Sequence, residues 1–245
     1  MSVAVVAPAY LKSFSLAPFL LQLQGCLDTS EHEYQVIIVV DGDIDNSSKV
    51  LEALSEDNPR LKFIVHPKNL GKGAAIRTGV AAVQDVDYIA YLDADLDIDP
   101  EALVAYLDFL DVNSGTDILY GSKTHNQSIV NYPPLRTFVS QVLQLLVRAL
   151  LRIKIQDTQT GLKVGRSKAM KEAVLNTDTN GFAFDLEFFV IADAAGYIVA
   201  PMPVKINFQF TSTVNLVHAF HVFADLLRIT YWSRSRKKFR KSEPR

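Results

Sequence analysis

The sequence predicts an α/β fold in which a mainly parallel sheet is flanked by helices. Three observations predict it. Apolar, β-branched runs alternate with helix-period segments through the first half of the chain, the pattern of βαβ units. Acidic or glycine-containing segments follow the carboxyl ends of those runs, where open α/β sheets bind ligands. Finally, 245 residues suffice to bury a full core as one domain.

The expected strands are Val3 to Ala7, Gln35 to Val40, Leu61 to His66, Tyr88 to Leu92 and Asp117 to Gly121. Helices are expected between them at Leu16 to Leu27, Ser47 to Asp57, Gly73 to Gln84 and Pro100 to Leu110. The second half reads as a long helix from Leu135 to Arg152, a loop, and helices at Lys168 to Leu175 and Phe184 to Ala195. A strand within Ile198 to Phe208 then precedes an amphipathic helix from Val214 to Trp232. Its polar residues His218, His221, Asp225 and Arg228 recur at helical spacing. Its apolar face covers the body of the domain in the first reading, and with Trp232 and the basic residues that follow it can also lie at a membrane surface. Pro133 and Pro134 mark a helix start, since neither can donate a backbone hydrogen bond.

Apolar residues are 49% of the chain and charged residues 21%, an ordinary globular balance. The net charge of -2 conceals a split: residues 233–245 carry seven Lys/Arg and one Glu, which leaves -8 for the remainder. The expectation is one domain over 1–232 and a solvated basic tail over 233–245, attractive to anionic lipid. No nucleic-acid partner is expected. Cys26 is the only cysteine, so no internal disulfide forms, and a reducing, cytoplasmic setting is expected. No predominantly apolar run of 18 residues is present: the longest stretch without Asp, Glu, Lys or Arg, residues 206–224, carries His218, His221 and several amide and hydroxyl side chains, so peripheral rather than spanning membrane contact is expected.

Chemistry concentrates after the fourth expected strand, in Asp93-Ala94-Asp95-Leu96-Asp97. In an extended chain, residues two apart project to one side, so these carboxylates can converge. Carboxylate oxygens suit hard cations, and magnesium is commonly held by one or two of them together with substrate phosphates. A solvated acidic turn is the alternative, and Asp99-Pro100 reads as a helix cap. Asp41-Gly42-Asp43-Ile44-Asp45 can meet a base or ribose, or can be an acidic turn before a helix capped by Asn46 or Ser47. Asn69-Leu70-Gly71-Lys72-Gly73 enters a helix whose free N–H groups favour anions, yet it lacks the spacing of a P-loop.

Taken in order, these segments resemble the family 2 glycosyltransferases, specifically the polyprenyl or dolichyl phosphate mannose and glucose synthases. The resemblance rests on Pro8-Ala9-Tyr10, Val39-Val40-Asp41-Gly42, Asn69 to Gly73, Asp93 to Leu96, Gly121-Ser122-Lys123, Asp157 to Lys163 and Gly181 to Glu187. It implies a GT-A type fold in which Pro8, Tyr10, Val39, Asp41, Lys72, Asp93 and Ala94 border a nucleotide sugar, GDP-mannose or UDP-glucose. It implies further that Asp95 and Asp97 reach Mg2+ or Mn2+. Lys123 stands at the family's usual arginine position, and Arg136 matches a basic residue on the following helix. Gln159, Lys163 and Asp185 fall in segments that shape the acceptor side.

A polyprenyl phosphate acceptor is already anionic at neutral pH, so inverting transfer needs no dedicated base. Asp95, Lys123, Arg136 and Asp185 are the expected catalytic set, and Lys123, Arg136, Gln159 and Lys163 the acceptor-binding set. Three departures from the family pattern stand out: Lys12 in place of a glutamate, Val40 in place of the first of two aspartates, and Thr213 in place of a late lysine. Two other readings remain open. A hydroxyl acceptor would need a base such as Asp185, and a non-catalytic scaffold would bind nucleotide sugar without turnover.

Overall fold

The computed structural model describes residues 1–130, 157, 160–181 and 183–206. The elements run β1 (Ser2–Ala9), α1 (Ser13–Leu27), β2 (Glu33–Val40), α2 (Ser47–Ser55), β3 (Leu61–Val65), α3 (Lys72–Ala81), β4 (Tyr88–Leu92), α4 (Glu101–Val112) and β5 (Ile118–Ser122). They continue with β6 (Ile129–Val130), β7 (Leu162–Arg166), α5 (Ser167–Leu175), α6 (Phe184–Ala195), β8 (Val199–Pro203) and β9 (Lys205–Ile206). The helix expected at 135–152, the amphipathic helix at 214–232, Thr213 and the basic tail lie outside the described residues.

Seven strands form one sheet in the order β3-β2-β1-β4-β7-β5-β8, and β6 pairs with β9 beside it. All neighbours in the large sheet are parallel except β7, which runs antiparallel to both β4 and β5. The alternation of strand side chains builds two cores. Val3, Val5 and Ala7 of β1 pack with α1 and α4 on one face. Ala4 and Val6 pack with α3, α5 and α6 on the other.

The sequence predicts a loop where β7 lies. Leu162 and Val164 face one core, while Lys163, wholly buried, faces the other, and a charged residue inside a five-residue strand disguises the period. Gly165 admits the close approach of β5, because a Cβ there would clash with the Asp117 carbonyl and Ile118. The strand expected within 198–208 is divided into β8 and β9 by Val204, which turns into the core. Because β7 is antiparallel, its amino end meets the carboxyl ends of β4 and β5, with Leu162 opposite Leu92 and Lys163 opposite both Tyr91 and Tyr120. Asp157, Thr160 and Gly161 are thereby delivered to the rim that carries Asp93 and Lys123.

Gly79 is where α3 touches the sheet, since an added Cβ would clash with Val6 and lie 3.2 Å from Val39. Gly79→Ala is expected to destabilise by about 1–3 kcal/mol through overpacking. Gly25→Ala, in α1 with open space around it, should be neutral or stabilising by up to ~1 kcal/mol through helix propensity. Urea denaturation of the two variants checks the contrast.

Candidate active site

The carboxyl rim gathers a row of alternating charges from four elements. Lys163 of β7 donates to Asp185 Oδ1 at 2.6 Å and to the Thr160 carbonyl at 2.6 Å. Tyr91 of β4 donates its hydroxyl to the same Oδ1 at 2.8 Å. The other oxygen of Asp185 lies 3.8 Å from the ammonium of Lys72, which opens α3 and donates to Asp93 Oδ2 at 2.8 Å. The order across the rim is therefore Lys163, Asp185, Lys72, Asp93.

Burial alone would raise the pKa of Asp185, but Lys163 and Lys72 outweigh it and hold the carboxyl below its ordinary value. Burial pushes the Lys163 ammonium down against the pull of Asp185. Lys72 is likewise desolvated, yet Asp93 and Asp185 raise its pKa. Asp93 is raised by burial, with Lys72 opposing and Asp95 and Asp185 reinforcing. Its Oδ1 is buried without a hydrogen-bond partner, and a side chain at Gly161 would clash with its carboxylate.

Beyond Asp93 the chain leaves the strand. Leu96 has φ 62°, and Asp95 Oδ1 accepts the Asp97 N–H at 3.1 Å. The carboxylates therefore do not line one side of an extended segment, as expected from spacing; Asp93 turns inward to Lys72 and a turn carries Asp95 and Asp97, both partly exposed. Asp95 and Asp97, both partly exposed, offer carboxylate oxygens of the kind that suits Mg2+ or Mn2+ with phosphate oxygens completing the shell, whereas the unpartnered Asp93 Oδ1 is sealed from solvent. Among the described residues, the one three-residue grouping with ligand atoms close together is His32, Asp108 and Asp111, at the opposite end of the sheet. Both oxygens of Asp111 are engaged there, by His32 Nε2 at 3.0 Å and the Tyr88 hydroxyl at 2.8 Å. That grouping fastens α4 to the start of β4 and is remote from the rim.

The acidic loop after β2 is turned inward. Asp41 accepts the N–H groups of Leu70 at 2.8 Å and Gly71 at 2.7 Å, and His66 Nδ1 lies 2.8 Å from it. Asp41 is thus the anchor of the segment that carries Lys72. Asn46, with φ 59°, makes no side-chain cap. The cap expected from Asn46 or Ser47 comes instead from Asp43, which accepts the Ser48 N–H and hydroxyl, and from Asp45, which accepts the Ser47 N–H and hydroxyl. Asp45 also accepts the Ser13 N–H at 2.9 Å, tying this loop to the start of α1. Asp99 accepts the Glu101 N–H at 3.2 Å, in keeping with its reading as a cap.

The remaining sequence-derived residues fall as follows. Pro8 and Tyr10 edge the rim, Tyr10 exposed. Val39 is buried against α3, and Ala94 is buried with its carbonyl accepting the Ser15 hydroxyl at 3.3 Å. Lys123 donates its N–H to Asp157 at 2.8 Å, and its ammonium lies 3.7 Å from the same carboxylate. Lys163 was expected at the acceptor phosphate; instead it is fully buried and directed to Asp185. Arg136 and Gln159 lie outside the described residues. Sequence reasoning did not single out Tyr91, Arg77 or Thr160; Tyr91 was hidden within an apolar strand run.

A family model described as glycosyl transferase family 2 matches residues 5–176, which contain most of this rim. The chain belongs to glycosyl transferase family 2. A dolichyl-phosphate beta-glucosyltransferase of Trichomonas vaginalis is 28% identical over 240 residues, covering 94% of this chain and 71% of that protein. The undecaprenyl-phosphate 4-deoxy-4-formamido-L-arabinose transferase of Shewanella sediminis is 27% identical, covering 69% of this chain and 49% of its own. Glucosyl-3-phosphoglycerate synthase from Mycobacterium tuberculosis, solved with Mn2+, uridine diphosphate and phosphoglyceric acid, superposes with a TM-score of 0.71 at 13% identity. That alignment covers 96% of this chain and 78% of that one. The fold of this family 2 member is therefore of the GT-A type.

Removing Lys163 leaves the Asp185 charge buried with its nearest cation gone. Lys163→Met is expected to cost about 3–5 kcal/mol at neutral pH. The wild-type contribution of Asp185, whose folded pKa is depressed, is present above the unfolded value of about 3.9 and is lost as pH falls through the folded pKa. In the variant that pKa rises, so its deficit should shrink on acidification. Denaturant titrations of both proteins at neutral and mildly acidic pH measure this; a deficit independent of pH would contradict it.

Proposed function

We propose that this protein transfers a hexose from a nucleotide sugar to a polyprenyl phosphate, with inversion at the sugar. The observation that carries the reading is the placement of Asp185, whose Oδ1 accepts from Lys163 and Tyr91 and whose other oxygen lies 3.8 Å from the Lys72 ammonium. A general base works best with a pKa near the operating pH. Asp185, the carboxylate that a hydroxyl acceptor would need, is held ionised below its ordinary value by Lys163 and Lys72. It is a weak base by design of its surroundings, which suits an acceptor that arrives without a proton to lose.

In the proposed step an acceptor phosphate oxygen forms a bond to the anomeric carbon. The bond from that carbon to the donor phosphate oxygen breaks, and its electron pair leaves with the nucleoside diphosphate. Asp93 borders the donor nucleotide and orients it, with Lys72 fixing its Oδ2. Asp95, with Asp97 beside it, would hold Mg2+ or Mn2+, which supplies positive charge to the departing diphosphate. Lys123 and, from the sequence, Arg136 and Gln159 receive the acceptor phosphate through charge-assisted or polar contacts. The names of the Trichomonas relatives favour glucose over mannose, and the uridine diphosphate in the mycobacterial structures favours UDP-glucose over GDP-mannose.

A lipid acceptor requires the rim to approach a membrane surface. Leu11, Phe14 and Ile44 are exposed together there, because Asp45 binds the loop carrying Ile44 to the first turn of α1. α1 itself contains no charged residue. Such a face supports peripheral association, and among the described residues no helix is long and apolar enough to cross a membrane.

Incubation with detergent-dispersed polyprenyl phosphate, Mn2+ or Mg2+, and UDP-glucose or GDP-mannose should yield a charged glycolipid from one donor. Asp95→Ala should lower the rate about a hundredfold, equivalent to ~3 kcal/mol. Binding of nucleotide sugar without turnover on any acceptor would favour the scaffold.

A further inference from the structure

Lys72 can bridge Asp93 and Asp185 only if the amino ends of α3 and α6 keep a fixed separation. The segment 177–180, which precedes α6, lies directly against the Gly71 to Gly73 turn. Gly73 donates its N–H to the Asn180 carbonyl at 2.7 Å. A Cβ on Gly71 would clash with the Asn180 carbonyl, and one on Gly73 with the Thr179 carbonyl. Gly71 also has φ 99°, a conformation open to glycine and strained for other residues.

Two charged side chains hold this segment, one through its oxygens and the other through its N–H groups. Arg77, five residues along α3 from Lys72, donates to the Thr179 carbonyl at 2.7 Å and to the Thr177 hydroxyl at 3.1 Å, and its guanidinium also bonds the Asn180 side-chain oxygen. Glu187, buried in the first turn of α6 two residues after Asp185, accepts the N–H groups of Asp178 at 3.0 Å and Thr179 at 2.7 Å. The planar guanidinium serves three acceptors at once, a geometry that an ammonium cannot reproduce.

We propose that Arg77 and Glu187 are positioning residues: they clasp segment 177–180 onto the Gly71 to Gly73 turn and thereby set Lys72 between Asp93 on the donor side and Asp185 on the acceptor side. Neither touches substrate. The functional part of this inference rests on the reading that Asp93 orients the donor. Its structural part stands on the contacts alone.

Arg77→Ala, Arg77→Lys and Glu187→Gln, each studied well below its unfolding temperature, test it. Hydrogen exchange of the Gly73 amide reports the clasp without any substrate. Exchange should accelerate about tenfold or more in Arg77→Ala and in Arg77→Lys, and return toward wild type when ethylguanidinium is added to Arg77→Ala. Unchanged protection in Arg77→Ala would overturn the clasp. Calorimetry with UDP-glucose and Mn2+ then reports its consequence. Donor Kd should rise about tenfold, the equivalent of one charge-assisted hydrogen bond, and KM for polyprenyl phosphate should change less than twofold. Equal losses on donor and acceptor, without rescue by ethylguanidinium, would reduce Arg77 to general stability and overturn the positioning role. If wild type itself binds no nucleotide sugar, the donor reading fails, while the exchange data still decide the clasp.

Discussion

The ion pair between Lys163 and Asp185 is the constraint around which the rim is arranged. Two charges 2.6 Å apart, almost sealed from solvent, are a weak source of net stability, because removing each ion from water costs several kcal/mol. The neighbouring Lys72–Asp185 attraction at 3.8 Å is worth about 4 kcal/mol at an effective dielectric constant near 20, a gain of the same order as that cost. What the pair supplies is placement. Asp185 is held ionised with one oxygen toward Lys163 and Tyr91 and the other toward Lys72. Lys72 in turn fixes one oxygen of Asp93 and leaves the second without a hydrogen-bond partner.

The fold provides this arrangement through a single reversal of direction. An all-parallel sheet would carry the start of β7 to the far end of the molecule. Because β7 is antiparallel between β4 and β5, Thr160, Gly161 and Lys163 arrive beside Tyr91, Asp93 and Lys123. Gly161 leaves the space that the Asp93 carboxylate fills, and its carbonyl accepts the Asp93 N–H at 3.1 Å. The groups proposed to face donor and acceptor thus meet at one seam of the sheet.

How far the sequence discloses this depends on the kind of signal each residue gives. β1, β2, β4 and β5 are legible because buried parallel strands are continuous apolar runs, and α6 because aromatic residues recur at helical spacing. The ordered segments around Asp93, Lys72 and Asp185 are legible as a group. Lys163 is not, since a lysine normally faces water, and nothing local announces a partner 22 residues away on another element. Asp41, Asp43 and Asp45 read alike as ligands or as caps; only their distances to Leu70, Gly71, Ser13, Ser47 and Ser48 separate the two. Arg77 gives no signal at all, because its partners lie 100 or more residues away and are backbone or small polar groups.

The charge row requires Asp185 to remain ionised, and titration of Asp185 by carbon-13 NMR tests that most directly. With aspartate carboxyl carbons labelled and the resonance assigned through Asp185→Asn, the predicted result is a shift that stays at the ionised position throughout the folded range, with any midpoint below about 3.9. A midpoint near neutrality would make Asp185 a competent general base, and would contradict both the charge row and the preference for an acceptor that is already anionic.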